Sequence, residues 1–309
     1  MFSQPKALKL AHNRSQSTDK WPAANRHWDK NIFAEMVQRI VPAWDVALRM
    51  VGSNMTREQL FRTIHMWKAP TFGGKRTDAV MLSWLGLCSK KYQWIAYKRI
   101  FKSMNKAVGR NMNIAFGPAS KMAARYLDNS ETCSFTFLRN PFERFASGVK
   151  ELEVRMQKNI RDGYSVENLT FHKYSIGSSD RVRALIKDIV TGRMYAKAVK
   201  GRVADFHIRP QSNAFINSSE LEFVGRVENV GSDWITMQHR CGITTPVLWR
   251  YDEGQHEKSS TSSAIKEAVW NVMNDSYYQT ILCLLYIEDV VRVHPVLPTS
   301  CAYAIHLTH

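Results

Sequence analysis

The spacing of hydrophobic positions changes early in the chain. In its first part, apolar residues recur at helical spacing over 31–51, with Pro42 as the expected interruption, and a capping-box sequence at 56–59 starts a second helix. The run DAVMLSWLGLC, 78–88, is apolar on nearly every side, which predicts a buried helix. We therefore expect residues 1–90 to form a mainly helical N-terminal extension that opens with a mobile basic arm.

Beyond this extension, short apolar runs alternate with segments of helical period. The predicted strands are QWIAY, MNIAF, CSFTFL and LEFVGRV, at 93–97, 112–116, 133–138 and 221–227. The predicted helices cover 102–112, 141–160, 178–192 with Ser179 or Asp180 as the cap, 228–242 closed by Gly242, and 264–293 with breaks. Strands that alternate with helices predict an α/β domain over 91–309, in which helices cover both faces of a parallel sheet.

The charge balance points to an anionic partner. The chain has 43 Lys and Arg residues against 27 Asp and Glu residues, a formal net charge of +16. Nucleic acid, acidic lipid, a polyanionic glycan and a phosphorylated small molecule all satisfy that charge. A hydrophobic content of 44% excludes a chain that is disordered throughout.

Cysteine and histidine spacing predicts neither a metal site nor a disulfide scaffold. The five cysteines are far apart and include no CxxC pair, so we expect reduced thiols in the core. The ten histidines form no HxH or HExxH pair, so no metal is expected. No segment has the apolar core of a signal peptide or the length of a membrane span, which predicts a soluble, cytoplasmic protein.

A Walker A loop is the first phosphate site to test, and it is absent. TFGGKRT contains Gly74 and Lys75, but Ala69 stands where the first glycine is required and Arg76 replaces the Ser or Thr. The chain is therefore no ordinary nucleoside triphosphatase.

Two predicted strand–turn–helix units carry cationic and hydroxyl residues where the strand ends. The first has Arg139 and Ser147, a guanidinium fork and a hydroxyl that together suit a phosphate dianion. The second has donors clustered at a helix start: Lys102, Ser103, Asn105 and Lys106. Taken singly, Arg139 also fits a helix-terminus salt bridge and Lys102 a solvated surface lysine. Parallel strands end at one edge of a sheet, so the two sites together predict a ligand with a phosphate at each end.

The stretch FLRNPFERFASGV, 137–149, closely resembles the 3′-phosphate-binding motif of sulfotransferases that use 3′-phosphoadenosine 5′-phosphosulfate (PAPS). The resemblance is to the carbohydrate sulfotransferases of the HNK-1 and chondroitin type in particular. The matching positions are Arg139, Pro141, Arg144 and Ser147. Later segments resemble the family's His-x-x-Pro-Gln, Gly-Arg-x-Glu-Asn and Tyr-x-x-Asp elements at His207, Pro210, Gln211, Gly225, Arg226, Glu228, Asn229 and the LLYIEDVVRV helix end.

This resemblance implies a P-loop-like sulfotransferase fold and a role for each candidate residue. Arg139 and Ser147 would hold the 3′-phosphate of PAPS and of its product, adenosine 3′,5′-bisphosphate (PAP). Lys102 would be catalytic, stabilising the bridging oxygen of the leaving phosphate. Lys102, Ser103, Asn105 and Lys106 would bind the 5′ end. No metal is implied.

The general base and the 5′ motif leave alternatives open. His207 is the first candidate for the base, against a structural histidine that bonds the backbone, and His65 and His172 are weaker candidates. The 5′ motif departs from the family pattern at Phe101, Met104 and Lys106. An alternative alignment makes Lys98, rather than Lys102, the lysine of the phosphosulfate site.

The implied function is transfer of a sulfuryl group from PAPS to an acceptor hydroxyl, with release of PAP. The acceptor is a carbohydrate or a small metabolite; an acidic glycan would suit the positive charge, and an amine is also open. The alternatives are a catalytically inactive relative, favoured by the altered 5′ motif, and a basic protein that binds polyanions. No RRM, KH, zinc-finger or helix-turn-helix signature is present, so a nucleic-acid partner is not expected.

Overall fold

The computed structural model describes residues 30–68, 79–85, 89, 91–100, 105–118, 120–123, 130–161, 169–195, 208–211, 221–250, 260–293 and 299–306. Among these residues, no helix has the length and apolar character required to cross a membrane.

The described strands form one sheet. They are β1 (Ala79–Trp84), β2 (Trp94–Lys98), β3 (Ser120–Ala123), β4 (Thr132–Leu138) and β5 (Phe223–Arg226). Their order across the sheet is β3-β1-β2-β4-β5. Strands β2, β4 and β5 are parallel, whereas β1 runs antiparallel to both β2 and β3. The sheet is therefore parallel in the half that contains the candidate residues.

One helix follows each of the three parallel strands, and further helices pack together in a second core cluster. The described helices are α1 (Lys30–Met50), α2 (Arg57–Lys68), α3 (Asn105–Phe116), α4 (Pro141–Arg161), α5 (Ser179–Val190), α6 (Val230–Arg240), α7 (Ser260–Met273), α8 (Ser276–Leu285), α9 (Ile287–Val293) and α10 (Thr299–His306). The predicted α/β class, with helices around the sheet and a helical region at the N-terminus, is confirmed. The antiparallel β1 and β3 are the part of the sheet that the alternating pattern did not predict.

Strand β4 is the centre of the fold. All seven of its residues are buried, as expected for a strand covered on both faces. Phe135 and Phe137 pack with Trp234 of α6 and Met112 of α3 in one core cluster. Phe145 of α4 belongs to a second cluster, which joins α4 to the helices α1, α2, α5, α7, α8 and α9. The turn between β4 and α4 is thus held between two packed cores.

Several sequence-based assignments are wrong. The run at 78–88 contains β1 rather than a buried helix, because a short apolar run fits either element and pairing with β2 and β3 decides it. Residues 112–116, predicted as a strand, form the end of α3, which stops before Gly117 at a φ of +80°. In addition, Ser178 caps α5 instead of Ser179 or Asp180.

Other local predictions are confirmed. The Thr56 N–H donates to Gln59 Oε1 at 2.9 Å, and the Gln59 N–H donates to Thr56 Oγ1 at 3.2 Å, which is the reciprocal capping box. The interruption expected at Pro42 is wrong, because Pro42 lies inside α1, which continues from Lys30 to Met50. The division at residue 90 stays a prediction, and residues 1–29, where the basic arm is expected, lie outside the described residues.

The expectation of reduced core thiols is wrong for four of the cysteines. Cys133 at the start of β4 is disulfide-bonded to Cys241 after α6, and Cys283 of α8 to Cys301 of α10. The partners are 108 and 18 residues apart, and the fold brings their Cα atoms within 5.5 and 5.1 Å. Sequence spacing carries no signal of such pairings. Cys88 lies outside the described residues.

Candidate functional site

The three parallel strands end at one edge of the sheet. Lys98 ends β2, Leu138 ends β4 and Arg226 ends β5, with Leu138 and Arg226 directly paired. The Thr136 hydroxyl donates to the Lys98 carbonyl at 2.7 Å, which ties the end of β2 to β4. The turns into α3, α4 and α6 all leave from this carboxyl edge. Open α/β sheets bind ligands at such an edge.

The turn from β4 into α4 is fixed by its own sequence. The Oδ1 atom of Asn140 accepts from the N–H groups of Phe142 at 2.9 Å and Glu143 at 3.4 Å, as an N-cap residue does. Pro141 occupies the first helical position, where its missing N–H costs nothing. Arg139, directly before the cap, is therefore the first residue of the turn.

The Arg139 side chain is half-buried and has one acidic neighbour. Its Nη2 atom lies 3.2 Å from Glu143 Oε2, and the arginine side chain is 28% exposed. A guanidinium group has five N–H donors, and the remaining ones have no partner among the described residues. The helix-terminus salt bridge considered from the sequence is present, and it leaves donors available to an anion.

Ser147 lies on the same face of α4 as Glu143. Positions 143 and 147 are four residues apart on α4, and residues at that spacing are neighbours on a helix surface. Arg139 precedes the helix and reaches Glu143 through its side chain. Ser147 is half-buried, and its hydroxyl has no hydrogen-bond partner within the described ranges. An available hydroxyl and an available guanidinium thus flank one carboxylate.

A buried glutamine holds the backbone of Arg139. The Arg139 N–H donates to Gln211 Oε1 at 2.9 Å, and Gln211 Nε2 donates to the Arg139 carbonyl at 2.6 Å. The Gln211 N–H in turn donates to Asp289 Oδ2 of α9 at 2.6 Å. The next N–H along, that of Asn140, donates to Glu228 Oε1 at 2.6 Å. Two successive backbone N–H groups of the turn are therefore bound by side chains from distant parts of the chain.

Arg144, the second arginine of the family-like motif, is a structural residue in this fold. It is only 2% exposed, and its Nη1 atom donates to the carbonyl of Arg209. It therefore supports segment 208–211, which presents Gln211, and does not reach solvent. Sequence reasoning noted Gln211, Glu228 and Asp289 only as family-like positions and assigned them no contact.

The turn from β2 into α3 presents Asn105 and Lys106. Asn105 is the first residue of α3, and its Oδ1 atom accepts from the Tyr97 hydroxyl at 2.8 Å. Burial raises the pKa of Tyr97 above its ordinary value, against a smaller opposing effect of the Arg99 charge, so the hydroxyl remains a donor. The Tyr97 bond leaves the amide nitrogen of Asn105 available to an acceptor. Lys106 is exposed on the same first turn.

Three predicted residues, Lys102, Ser103 and His207, lie outside the described residues. Lys98 is half-buried at the end of β2. His172 lies in the short 3₁₀ turn Phe171–Lys173, where its carbonyl accepts from Arg181 Nη1 at 3.4 Å, and not in a turn that follows a parallel strand. His65 is on α2. The structure places Asn105 and Lys106 on the first turn of α3, Arg139 directly after β4 and Ser147 on α4, after two neighbouring parallel strands.

A protein-family model described as the Sulfotransferase family matches residues 86–292, more than half of the chain. The chain belongs to this family. No curated protein and no solved structure matches it. The family match spans all three strand–turn–helix units of the carboxyl edge. In this sulfotransferase, no group of His, Cys, Asp or Glu side chains among the described residues is arranged to hold a metal ion.

Proposed function

We propose that this sulfotransferase transfers a sulfuryl group from PAPS to an acceptor hydroxyl and releases PAP. The observation that carries the proposal is the pair of donors at the β4–α4 turn, one directly before the helix cap and one on the second turn of α4. The Arg139 guanidinium and the Ser147 hydroxyl have unused donors there, and the Arg139 backbone is fixed on both sides. A 3′-phosphate is the group of PAPS that would match them.

Recognition of the 3′-phosphate would rest on charge-assisted hydrogen bonds. A guanidinium fork pairs with two phosphate oxygens, and a serine hydroxyl adds a third donor. ATP and ADP lack this phosphate, so Arg139 and Ser147 would select PAPS from the common adenine nucleotides. Glu143 would share Arg139 with the phosphate.

The 5′ end would lie at the start of α3. Asn105 and Lys106 supply an amide donor and a positive charge, and the free N–H groups of the first helical turn add to them. Lys102 and Ser103, directly before this helix, are assigned to the same group by their position. Because Tyr97 holds the amide oxygen of Asn105, the amide nitrogen would be the atom that donates to the anion.

The chemical step needs positioning and charge stabilisation more than covalent catalysis. Lys102 would stabilise the bridging oxygen as the bond from sulfur to that oxygen breaks and charge collects on the leaving phosphate. His207 would accept the proton of the acceptor hydroxyl as the new bond from oxygen to sulfur forms. Lys98 remains the alternative to Lys102.

The acceptor class is proposed from charge. A formal charge of +16 suits an acidic glycan, and a small metabolite with a hydroxyl or amine is the other acceptor considered. The two disulfides favour maturation in an oxidising compartment, since disulfides are rare where thiols are kept reduced. We therefore place the working protein in such a compartment rather than in the cytoplasm that the sequence led us to expect.

Transfer can be measured directly. The chain is incubated with ³⁵S-labelled PAPS and a panel of desulfated and partly sulfated acidic glycans, neutral glycans, phenols and amines, and labelled product and PAP are quantified together. Equal amounts of labelled product and PAP are expected with at least one hydroxyl acceptor. PAP binding without turnover on any acceptor would favour the inactive relative.

A further inference from the structure

One side chain satisfies both backbone polar groups of Arg139. Gln211 accepts from the Arg139 N–H at 2.9 Å and donates to its carbonyl at 2.6 Å. Arg139 lies one residue beyond the last pair of the β4–β5 ladder, so these groups have left the sheet. We call this pair of bonds the Gln211 clamp.

The clamp is itself anchored in the helical layer. Gln211 and Asp289 are each 1% exposed, and the Gln211 N–H donates to Asp289 at 2.6 Å. Three residues earlier, the Ile208 carbonyl accepts from the Tyr286 hydroxyl. Segment 208–211 is therefore fastened to the junction of α8 and α9 at both of its ends. A clamp fastened in this way fixes the direction in which the Arg139 side chain leaves the turn.

We propose that Gln211 is a positioning residue for recognition of the 3′-phosphate, and that Asp289 supports it. The inference rests on the proposed function, because it concerns the same phosphate. The Arg139 guanidinium interacts with the exposed side chain of Glu143, a weak constraint on its own. The backbone clamp is the stronger one, since Gln211 is buried and both of its bonds to Arg139 are short.

Loss of the clamp should act on one phosphate only. Without Gln211 the Arg139 N–H and carbonyl lose their buried partners, which favours rotation of the turn to regain hydrogen bonds. The guanidinium then leaves the position that matches a 3′-phosphate. The 5′ groups on α3 are held by separate contacts, chiefly the Tyr97–Asn105 bond, and stay in place.

The chain contains a matched control for this contact. Gln238, near the end of α6, clamps Val247 in the same manner, with bonds of 2.9 Å from the Val247 N–H and 2.8 Å to its carbonyl. It is also fully buried. It lies close to Cys241, which is bonded to Cys133 at the start of β4, and therefore at the opposite edge of the sheet. Its loss removes an equivalent clamp that is remote from the carboxyl edge.

The test compares Gln211→Met, Gln238→Met and Arg139→Ala with the unaltered chain. Binding of PAP and of AMP, which differ only in the 3′-phosphate, is measured by calorimetry, and unfolding temperature is recorded for each. Gln211→Met should reduce the ratio of PAP affinity to AMP affinity about tenfold or more, as expected for lost buried hydrogen bonds. Its AMP affinity should stay within about twofold, and Gln238→Met should keep the ratio even if it unfolds at a lower temperature.

Asp289 gives a second readout. Asp289→Asn keeps an oxygen acceptor for the Gln211 N–H and should retain most of the PAP-to-AMP ratio, whereas Asp289→Ala should lower it. Should Gln211→Met be recovered unfolded, Gln211→Asn replaces it, because it keeps the amide but withdraws it by one methylene. The same selective loss is expected of Gln211→Asn.

The outcomes separate this inference from the proposed function. If Arg139→Ala lowers the ratio of PAP affinity to AMP affinity while the Gln211 variant leaves it unchanged, the positioning role is wrong and the 3′-phosphate site stands. If the Gln211 variant weakens PAP and AMP equally, Gln211 is merely structural and the inference is overturned. If Arg139→Ala itself keeps the ratio, the 3′-phosphate assignment falls and the clamp loses its role with it.

Discussion

The Nη2 atom of Arg139 lies 3.2 Å from the Oε2 atom of Glu143, one turn into α4. This contact places a carboxylate beside the guanidinium that we assign to the 3′-phosphate. A phosphate dianion that binds Arg139 is therefore brought close to a like charge. The pair lowers the net attraction of the site for anions in general, and a ligand must compensate with further contacts.

Glu143→Gln should strengthen PAP binding by about twofold to fivefold, because it removes that like charge while an exposed ion pair contributes little orientation. The measurement is calorimetry with PAP at low salt. Glu151→Gln is the matched control, since Glu151 pairs with Arg155 at 2.9 Å with the same four-residue spacing on the same helix. Weaker PAP binding by Glu143→Gln would mean that the carboxylate orients Arg139 for the phosphate.

Ser147→Ala should reduce PAP affinity by about 1.5 kcal/mol or more, the contribution of one hydrogen bond to a charged group, and leave AMP affinity unchanged. The same titrations measure it, with Ser232→Ala as the control, because the Ser232 hydroxyl donates to the Asn229 carbonyl at the start of another helix. Equal PAP binding by Ser147→Ala and the unaltered chain would remove Ser147 from the site.

Tyr97→Phe tests the 5′ end of the site. It deletes the hydroxyl that holds Asn105, so PAP and AMP should both bind about threefold to tenfold more weakly, with their ratio unchanged. Tyr92→Phe is the control, because Tyr92 also donates to a side chain, that of Glu222, but precedes β2 at the other edge of the sheet. A change in the ratio of PAP affinity to AMP affinity would mean that Asn105 acts on the 3′-phosphate rather than on the 5′-phosphate.

The buried Tyr97 also predicts that the stability of the fold declines at high pH. Burial raises its pKa in the folded chain, so its contribution to stability is present below the unfolded pKa of about 10. Above that pH the unfolded chain loses the proton first, and the contribution is lost as pH rises. Urea unfolding between pH 8 and pH 11 should show a smaller decline for Tyr97→Phe than for the unaltered chain. Identical declines would assign the loss to other groups.

The disulfides should differ in their contribution to stability. Closing a span of 108 residues restricts the unfolded chain more than closing one of 18 residues. In the chain-entropy description the two amount to about 5 and about 3 kcal/mol. Replacing Cys133 and Cys241 by serine should thus cost more than replacing Cys283 and Cys301, measured as free energies of unfolding in urea. Five reactive thiols in the unreduced, denatured protein would contradict both disulfides.

The sequence predicts the elements whose pattern is local. The unit from CSFTFL through Arg139 and Pro141 into α4 is found as predicted, because a buried strand, a cap residue and a proline each carry their own signal. The run at 78–88 is mispredicted because only its neighbouring strands decide that it is β1. Periodicity says nothing about which distant side chain will satisfy a backbone group.

The same distinction between local signals and long-range pairings applies to the contacts of the site. Arg139 and Ser147 could be named from the sequence, since both lie in one short strand–turn–helix stretch, eight residues apart. The Gln211 clamp could not, because it joins positions 72 residues apart, and its anchor on Asp289 joins positions 78 residues apart. The disulfides were missed for the same reason.

The most direct test of the central claim is a calorimetric titration of the unaltered chain and of Arg139→Ala with PAP, ADP and AMP, each at low and at moderate salt. The account predicts that PAP binds most tightly of the three and that its binding persists at moderate salt. Arg139→Ala should lose about 2 kcal/mol or more of binding free energy for PAP and keep its affinity for ADP and AMP. Arg155→Ala, which removes an arginine of α4 that pairs with a glutamate four residues before it, should bind PAP normally. Equal and salt-sensitive binding of all three nucleotides, unchanged in Arg139→Ala, would contradict the 3′-phosphate site and indicate a generic basic surface.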